Sequence, residues 1–287
     1  MAENGEISTS ASSGVSTFLH NTEIGEAIKQ TTFARETYLG EVGIFGLRNK
    51  EYLMENLQGL RIGDRVILYL KYNSEPPSST AVQVSNIPDD GTSIRVHTLA
   101  GLCLGYVKFP ERYIMAALMK AGKHLYAKVN SLNVPETIDK LDTRNAVTLD
   151  IYWVEESTPF KLANTYEIRE PKNEAMEQNG NAILLKTCFP NTDFKYLENA
   201  VKNIDDMEGG DRLSLIWTPS EDDPDCIQLW NRDRTSLLGF MDEWDCRSMI
   251  AHMMEAGKNV YGVVNDKKTG EQLWEYEYSY DLYVEDT

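Results

Sequence analysis

The chain spells one segment twice: LGYVKFPERYIMAALMKAGKHLYAKV over residues 104–129 and LGFMDEWDCRSMIAHMMEAGKNVYGVV over residues 238–264. With one extra residue in the later copy, both run Leu-Gly-aromatic, then a centre rich in Met and Ala, then Ala-Gly-Lys-x-x-Tyr-x-x-Val. A long segment repeated within one chain signals a duplicated architecture. Each copy reads as a strand ending at the Gly-aromatic pair, an amphipathic helix, a glycine stop and a second strand. Pro110 suits a first helical turn, where its missing N–H costs nothing, and Gly122 and Gly257 stand where left-handed C-caps are wanted. Asp242 or Asp245 is the expected N-cap of the later helix.

Working outward, TYLGEVGIFG (37–46) reads as a strand with Leu39, Val42 and Ile44 inward, and Gly40, Gly43 and Gly46 allow a bend or close backbone approach. Asn49 is a fair N-cap for KEYLMENLQ, whose Tyr52, Leu53, Asn56 and Leu57 fall on one face. LRIGDRVILYLKY (60–72) has its counterpart in EGGDRLSLIWT (208–218). Arg65 and Arg212 follow Gly-Asp in equivalent turns, and each is expected to pair with the neighbouring carboxylate. AVQVS (81–85) is matched to CIQLW (226–230), which leaves NIPDDGTSIRVHTLAG (86–101) as a hairpin insertion of the first half, turned at Asp89-Asp90-Gly91. Both halves close on a period-two strand, AVTLDIYWVE from Ala146 and EYEYSYDLYVED from Glu275, with Tyr276, Tyr278 and Tyr280 expected on the inner face.

These elements predict a mainly β fold with short helices: two OB/SH3-like, partly open β-barrels in tandem, each with one longer helix. The expected organisation is a disordered tail over 1–20, a short helix over 21–36, a first domain over 37–168, a linker over 169–180 and an acidic second domain over 181–287. The tail is rich in Ser, Thr, Gly and Ala, with little to bury against the entropy of ordering.

Lys and Arg number 28 against 45 Asp and Glu, a net charge of −17. Bulk charge therefore does not draw the chain to membranes or duplex DNA. Residues 171–287 carry 11 basic and 24 acidic side chains, so any polyanion-binding role belongs to the first half. Cys103, Cys188, Cys226 and Cys246 show no CxxC pair and no regular spacing, which indicates neither a zinc site nor a disulfide framework. MAENGEISTS lacks the apolar run of a signal peptide, and no stretch is apolar enough to span a bilayer, so a cytoplasmic location is expected. No nucleophile motif, phosphate loop or metal-spaced histidine set appears, and the expectation is a protein that is not an enzyme and uses no cofactor. The acidic EDDPD (221–225) lacks the spaced ligands and central Gly of a calcium loop and reads as a solvated turn.

GIFG, LQGLRIGDRVILYLKYNSEPPSSTAVQV and the repeated segment together resemble the HIRAN domain, over residues 37–155 and, as a more divergent copy, 181–286. The resemblance implies an OB-like barrel that captures the 3′ end of single-stranded DNA. Carried over by position, it implies a nucleic-acid site at Phe45, Tyr106 and Lys108. The loop position expected to accept the terminal hydroxyl falls at Ser78 in the first copy and Asp223 in the second, where Phe240 matches Tyr106. Ser78 lacks the carboxylate, and Asp242 stands where Lys108 stands in the first copy.

Lys108, Arg112, Lys120, Lys123, His124 and Lys128 give the first repeated segment a basic character, read either as a phosphate track or as a solvated helix face. Among Tyr69, Tyr72, Tyr106, Tyr113, Tyr126, Tyr152 and Trp153, only one or two are expected to be exposed enough to stack. Two functions compete on these residues. One is a non-enzymatic module binding single-stranded nucleic acid through the first domain. The other is an acidic module that binds a basic protein, or mimics nucleic acid, through residues 171–287.

Overall fold

The computed structural model describes residues 35–47, 49–70, 91–155, 182–191, 204–242, 246–268 and 277–285. Among them the first half runs β1 (Arg35–Gly46), α1 (Lys50–Leu57), β2 (Arg65–Leu70), β3 (Ile94–Thr98), β4 (Cys103–Val107), α2 (Arg112–Lys120), β5 (His124–Leu132) and β6 (Val147–Glu155). The second runs β7 (Ala182–Cys188), β8 (Pro190–Asn191), β9 (Arg212–Trp217), β10 (Ile227–Asn231), β11 (Leu237–Met241), α3 (Arg247–Glu255), β12 (Val260–Lys268) and β13 (Glu277–Glu285). This is the mainly β fold with OB-like barrels that the repeat implied.

The first half closes as an antiparallel barrel in the order β1-β4-β3-β2-β5-β6. β1 closes it because it is long enough to pair with β6 along its first part and with β4 along its last. The second half forms a sheet in the order β7-β13-β12-β9-β10-β11-β8. Its two edges, β7 and β8, are consecutive pieces of chain separated only by Phe189, so they do together what β1 does alone. Pro190, where β8 begins, has no N–H to give a ladder, which is a physical reason for the break.

The halves agree in detail. Register breaks set Leu39, Leu104 and Asn130 out of the ladder in the first half, and Leu185, Leu238 and Asn265 at the same places in the second. Bulges sharpen twist and curl a sheet, so shared bulges give shared curvature. Gly105 and Gly239, with φ of 146° and 150°, lie beside the second of these. A Cβ on Gly105 would lie 2.0 Å from the Phe45 carbonyl oxygen, which fixes glycine where β4 meets β1.

This register corrects the expected insertion. IRVHT is β3, paired along its length with β2, and it is the true counterpart of β10. The extra residues of the first half therefore lie between β2 and β3; AVQVS and Asp89-Asp90 fall outside the described residues. The helix expected over 21–36 also falls outside them, except that Arg35 and Glu36 already belong to β1. α3 has Cys246 at its N-cap in a left-handed conformation with no side-chain cap bond, rather than Asp242, and the alternative Asp245 falls outside the described residues. Asn49 does cap α1, its Oδ1 accepting the Tyr52 N–H at 2.9 Å. Of the predicted α1 face, Leu53, Asn56 and Leu57 are buried, whereas Tyr52 is exposed.

One contiguous apolar cluster runs through both halves. Its seam is reciprocal: α2 packs on β7 of the second half, and α3 packs on β1 of the first. Ile114, Met115, Ala116 and Leu118 are all buried, as are Met249, Ile250, Ala251 and Met253. That is a wider apolar arc than a surface helix carries, because each helix is covered by its own barrel and by the other. At the seam Lys258, 5% exposed, forms an ion pair with Glu155 and lies 4.2 Å from the Trp153 ring centroid. Tyr38 meets His252 edge to face with ring centroids 4.8 Å apart.

Candidate nucleic-acid interface

Alternation on the barrel strands decides which side chains face out. Ile94, Val96, Val107 and Ile44 are buried inside, so Arg95, Tyr106 and Phe45 point away from the core. Register then lines them up. Tyr69 is opposite Arg95, Arg95 is opposite Tyr106, and Tyr106 is opposite Phe45, giving one row across β2, β3, β4 and β1. At the usual spacing of neighbouring strands the row spans about 14 Å.

The row holds three rings and one cation, Arg95, and Lys108 lies beside its far end. The Arg95 guanidinium carbon lies 5.9 Å from the Tyr106 ring centroid, and Lys108 Nζ lies 5.7 Å from that of Phe45, both within reach of a cation–π contact. Phe45 is 44% exposed, enough to offer a face to a stacking partner. A short step beyond, the exposed Phe109 ring meets Tyr113 edge to face at 5.6 Å. Beside the row His97 contacts the Tyr69 ring at 4.9 Å, and its Nδ1 lies 3.1 Å from the Gly101 carbonyl oxygen. Burial pushes the His97 pKa below the usual histidine value.

Phe45, Tyr106 and Lys108 are thus brought together. Arg112 is not: it is 8% exposed, with its guanidinium carbon 5.1 Å from the Tyr113 ring centroid. Ser78 lies outside the described residues. Asp223 is held in an ion pair with Arg247 at 2.9 Å, on the first turn of α3. Phe240 takes the place of Tyr106 in the corresponding row of the second half, which reads Ile216, Gln228, Phe240 and Asn191. Arg95 was missed because its strand was read as an insertion; pairing GDRVILYL with IRVHT would have found it.

The six basic residues of the first repeat do not form one track. Lys128 lies 4.6 Å from the Tyr152 ring centroid, on the row formed by β5 and β6, and Lys123 lies 5.7 Å from that of Trp153. Tyr126 and Trp153 are buried, and Tyr69, Tyr106, Tyr113 and Tyr152 half-buried. In the Gly-Asp turns the aspartates bond backbone, and Arg212 pairs with a carboxylate other than Asp211. Asp64 and Asp211 accept backbone N–H groups of Arg61 and Glu208, at 2.8 and 2.7 Å, and Arg212 pairs with Glu285 at 3.0 Å. Tyr278 and Tyr280 are buried as expected, and Tyr276 falls outside the described residues.

Among the described residues no cluster of His, Cys, Asp or Glu could hold a metal ion, and no helix is long and apolar enough to cross a membrane. None of the four cysteines is in a disulfide.

No family model and no curated protein matches the chain. Two solved structures resemble part of it. A protein from Lactobacillus plantarum is 24% identical, with 42% of this chain and 98% of that one covered, at a TM-score of 0.32. The HIRAN domain of human HLTF is 16% identical, with 42% of this chain and 81% of that one covered, at a TM-score of 0.25.

Proposed function

We propose that the chain is a non-enzymatic binding module whose first barrel holds a single nucleic-acid strand across Tyr69, Arg95, Tyr106 and Phe45. The observation that carries this reading is the row itself: outward aromatic rings on adjacent strands with a cation over each of the last two. Aromatic faces stack bases of any sequence, while neighbouring cations meet the phosphates between them. The HIRAN resemblance of the sequence supports the same ligand and adds the 3′ end of DNA as the feature read, in a divergent tandem pair. Ser78 stands where that family has its loop carboxylate, so end-reading is tested by blocking the 3′ end.

The test is fluorescence anisotropy of the whole chain with labelled single-stranded DNA, with free and blocked 3′ ends, across a salt series. The whole chain is used because the two halves share one core. The expected result is binding that weakens with salt, with a logarithmic slope of about −0.7 for each phosphate contacted. Weaker binding to the blocked oligonucleotide assigns an end-reading role. No binding at low salt overturns the reading.

A second reading rests on the other half. Glu221 and Asp222 are exposed, and Asp242 stands where the first half has Lys108. That surface suits a basic protein partner. Capture of basic nucleic-acid-binding proteins that survives neutralisation of Asp222, Asp223, Asp242 and Glu243 would remove this alternative.

A further inference from the structure

We infer that Asn145 and Gly43 are positioning residues that hold the Lys108 ammonium beside Phe45, so that it meets the phosphodiester next to a base stacked on that ring. The inference rests on the nucleic-acid reading above. Lysine on an open strand end is ordinarily a mobile point charge with many rotamers. Here its course is set at both ends.

The Lys108 backbone N–H donates to the Gly43 carbonyl at 3.0 Å, which places its Cα opposite a residue without a side chain. The lysine stem then lies across that glycine. A Cβ on Gly43 would come within 2.9 Å of both Cδ and Nζ of Lys108. At the far end Nζ donates to Asn145 Oδ1 at 3.2 Å. The amide is oriented by its own second bond, Nδ2 donating to Asp142 Oδ2 at 2.8 Å, so its oxygen faces the lysine.

The loop carrying Asn145 is fixed in turn. Asp142 Oδ1 accepts the Arg144 N–H at 2.9 Å, and Asn133 Nδ2 donates to the Asn145 carbonyl at 2.9 Å. The Gly46 N–H donates to the Thr143 carbonyl at 2.6 Å, tying the loop to β1 one residue beyond Phe45. The Arg144 N–H and the Asn145 amide also hold the Asp142 carboxyl below the usual carboxylate pKa, so it is ionised at neutral pH. In the second half Phe189 stands at the place of Gly43 and Asp242 at that of Lys108. A short side chain there does not need the glycine seat, and both members of the pair differ together.

The experiment compares wild type with Lys108→Gln, Asn145→Ala, Gly43→Val and the Lys108→Gln/Asn145→Ala double variant, measuring affinity for labelled oligothymidylate over a salt series together with the melting temperature. Lys108→Gln is expected to reduce the magnitude of the salt slope by about 0.7, one single-strand phosphate contact. Asn145→Ala and Gly43→Val are each expected to weaken binding by about fivefold with an unchanged melting temperature. In the Lys108→Gln background Asn145→Ala should then cost nothing more, because coupled residues are not additive. Wild-type affinity in both positioning variants, with Lys108→Gln still weakened, overturns this inference and leaves the nucleic-acid reading standing. So does an Asn145→Ala loss that persists undiminished without Lys108. Failure of the wild type to bind overturns both.

Discussion

The two halves of this molecule share a scaffold and differ on one face. Gly105 and Gly239, three pairs of bulges and the helices α2 and α3 correspond position by position, and all of them shape or cover the core. A second correspondence is on the outward-pointing side of the last two strands of each half. Tyr126 stacks on Tyr152 with the Arg65 guanidinium carbon 4.9 Å from the Tyr126 centroid, and Tyr261 stacks on Tyr283 with that of Arg212 at 3.7 Å from Tyr261. The row of the candidate interface behaves otherwise. Where the first half has Tyr69, Arg95, Tyr106, Phe45 and Lys108, the second has Ile216, Gln228, Phe240, Asn191 and Asp242. Groups that close the barrel are the same, whereas along the row both cations and two of the three rings are replaced, Phe240 alone keeping a ring. The comparison teaches that the row is separable from the fold, as a binding surface is and a packing surface is not.

The largest expected effect tests the shared scaffold. Gly105→Val forces a side chain against the Phe45 carbonyl in a backbone conformation that L residues rarely adopt, and should cost about 4 kcal/mol of stability. Gly239→Val should be comparably damaging, and thermal melting that shows it tolerated would break the equivalence of the two barrels. Next comes the seam. Glu155→Gln leaves the Lys258 ammonium buried without its counter-charge and should destabilise by about 2–3 kcal/mol, a little below fully buried pairs because Glu155 retains some solvent contact. Because one core spans the halves, denaturant unfolding of this variant should remain a single transition; two transitions would mean the barrels fold separately.

A smaller effect sharpens the difference between the faces. Phe45→Asn, which installs the residue of the second half, should weaken single-strand binding by about 1–3 kcal/mol, the range for one base stacked on one ring, with the melting temperature little changed. The smallest effect is a pH dependence confined to the first half, since Trp230 stands at the place of His97. His97 is held below its ordinary pKa chiefly by burial, so the unfolded chain binds its proton first as pH falls. Stability from this group is complete above about pH 6.5 and declines as pH falls from there towards the folded value. Melting curves at pH 7.5 and 5.5 should show this decline in wild type and a smaller one in His97→Phe.

Much of the fold was legible because burial leaves a period in the sequence. The alternation of TYLGEVGIFG placed Leu39, Val42 and Ile44 inside, and the glycines of the repeat marked where α2 and α3 stop. The insertion was misread for the same reason: AVQVS and IRVHT have the same alternation, and only hydrogen-bonded register with β2 tells them apart. At the site, Phe45, Tyr106 and Lys108 came from a pattern of position, whereas Arg95 and Tyr69 join them only through that register.

The sequence by itself determined that the molecule is duplicated, mainly β and asymmetrically charged, because repetition, periodicity and charge are properties of residues in order along the chain. Tertiary structure alone decided that Arg112 is buried while Lys108 is held over Phe45, and that each helix covers the other half's first strand. Those outcomes depend on which strands become neighbours and on the space a missing Cβ leaves between them, and both come from contacts between residues far apart in the chain.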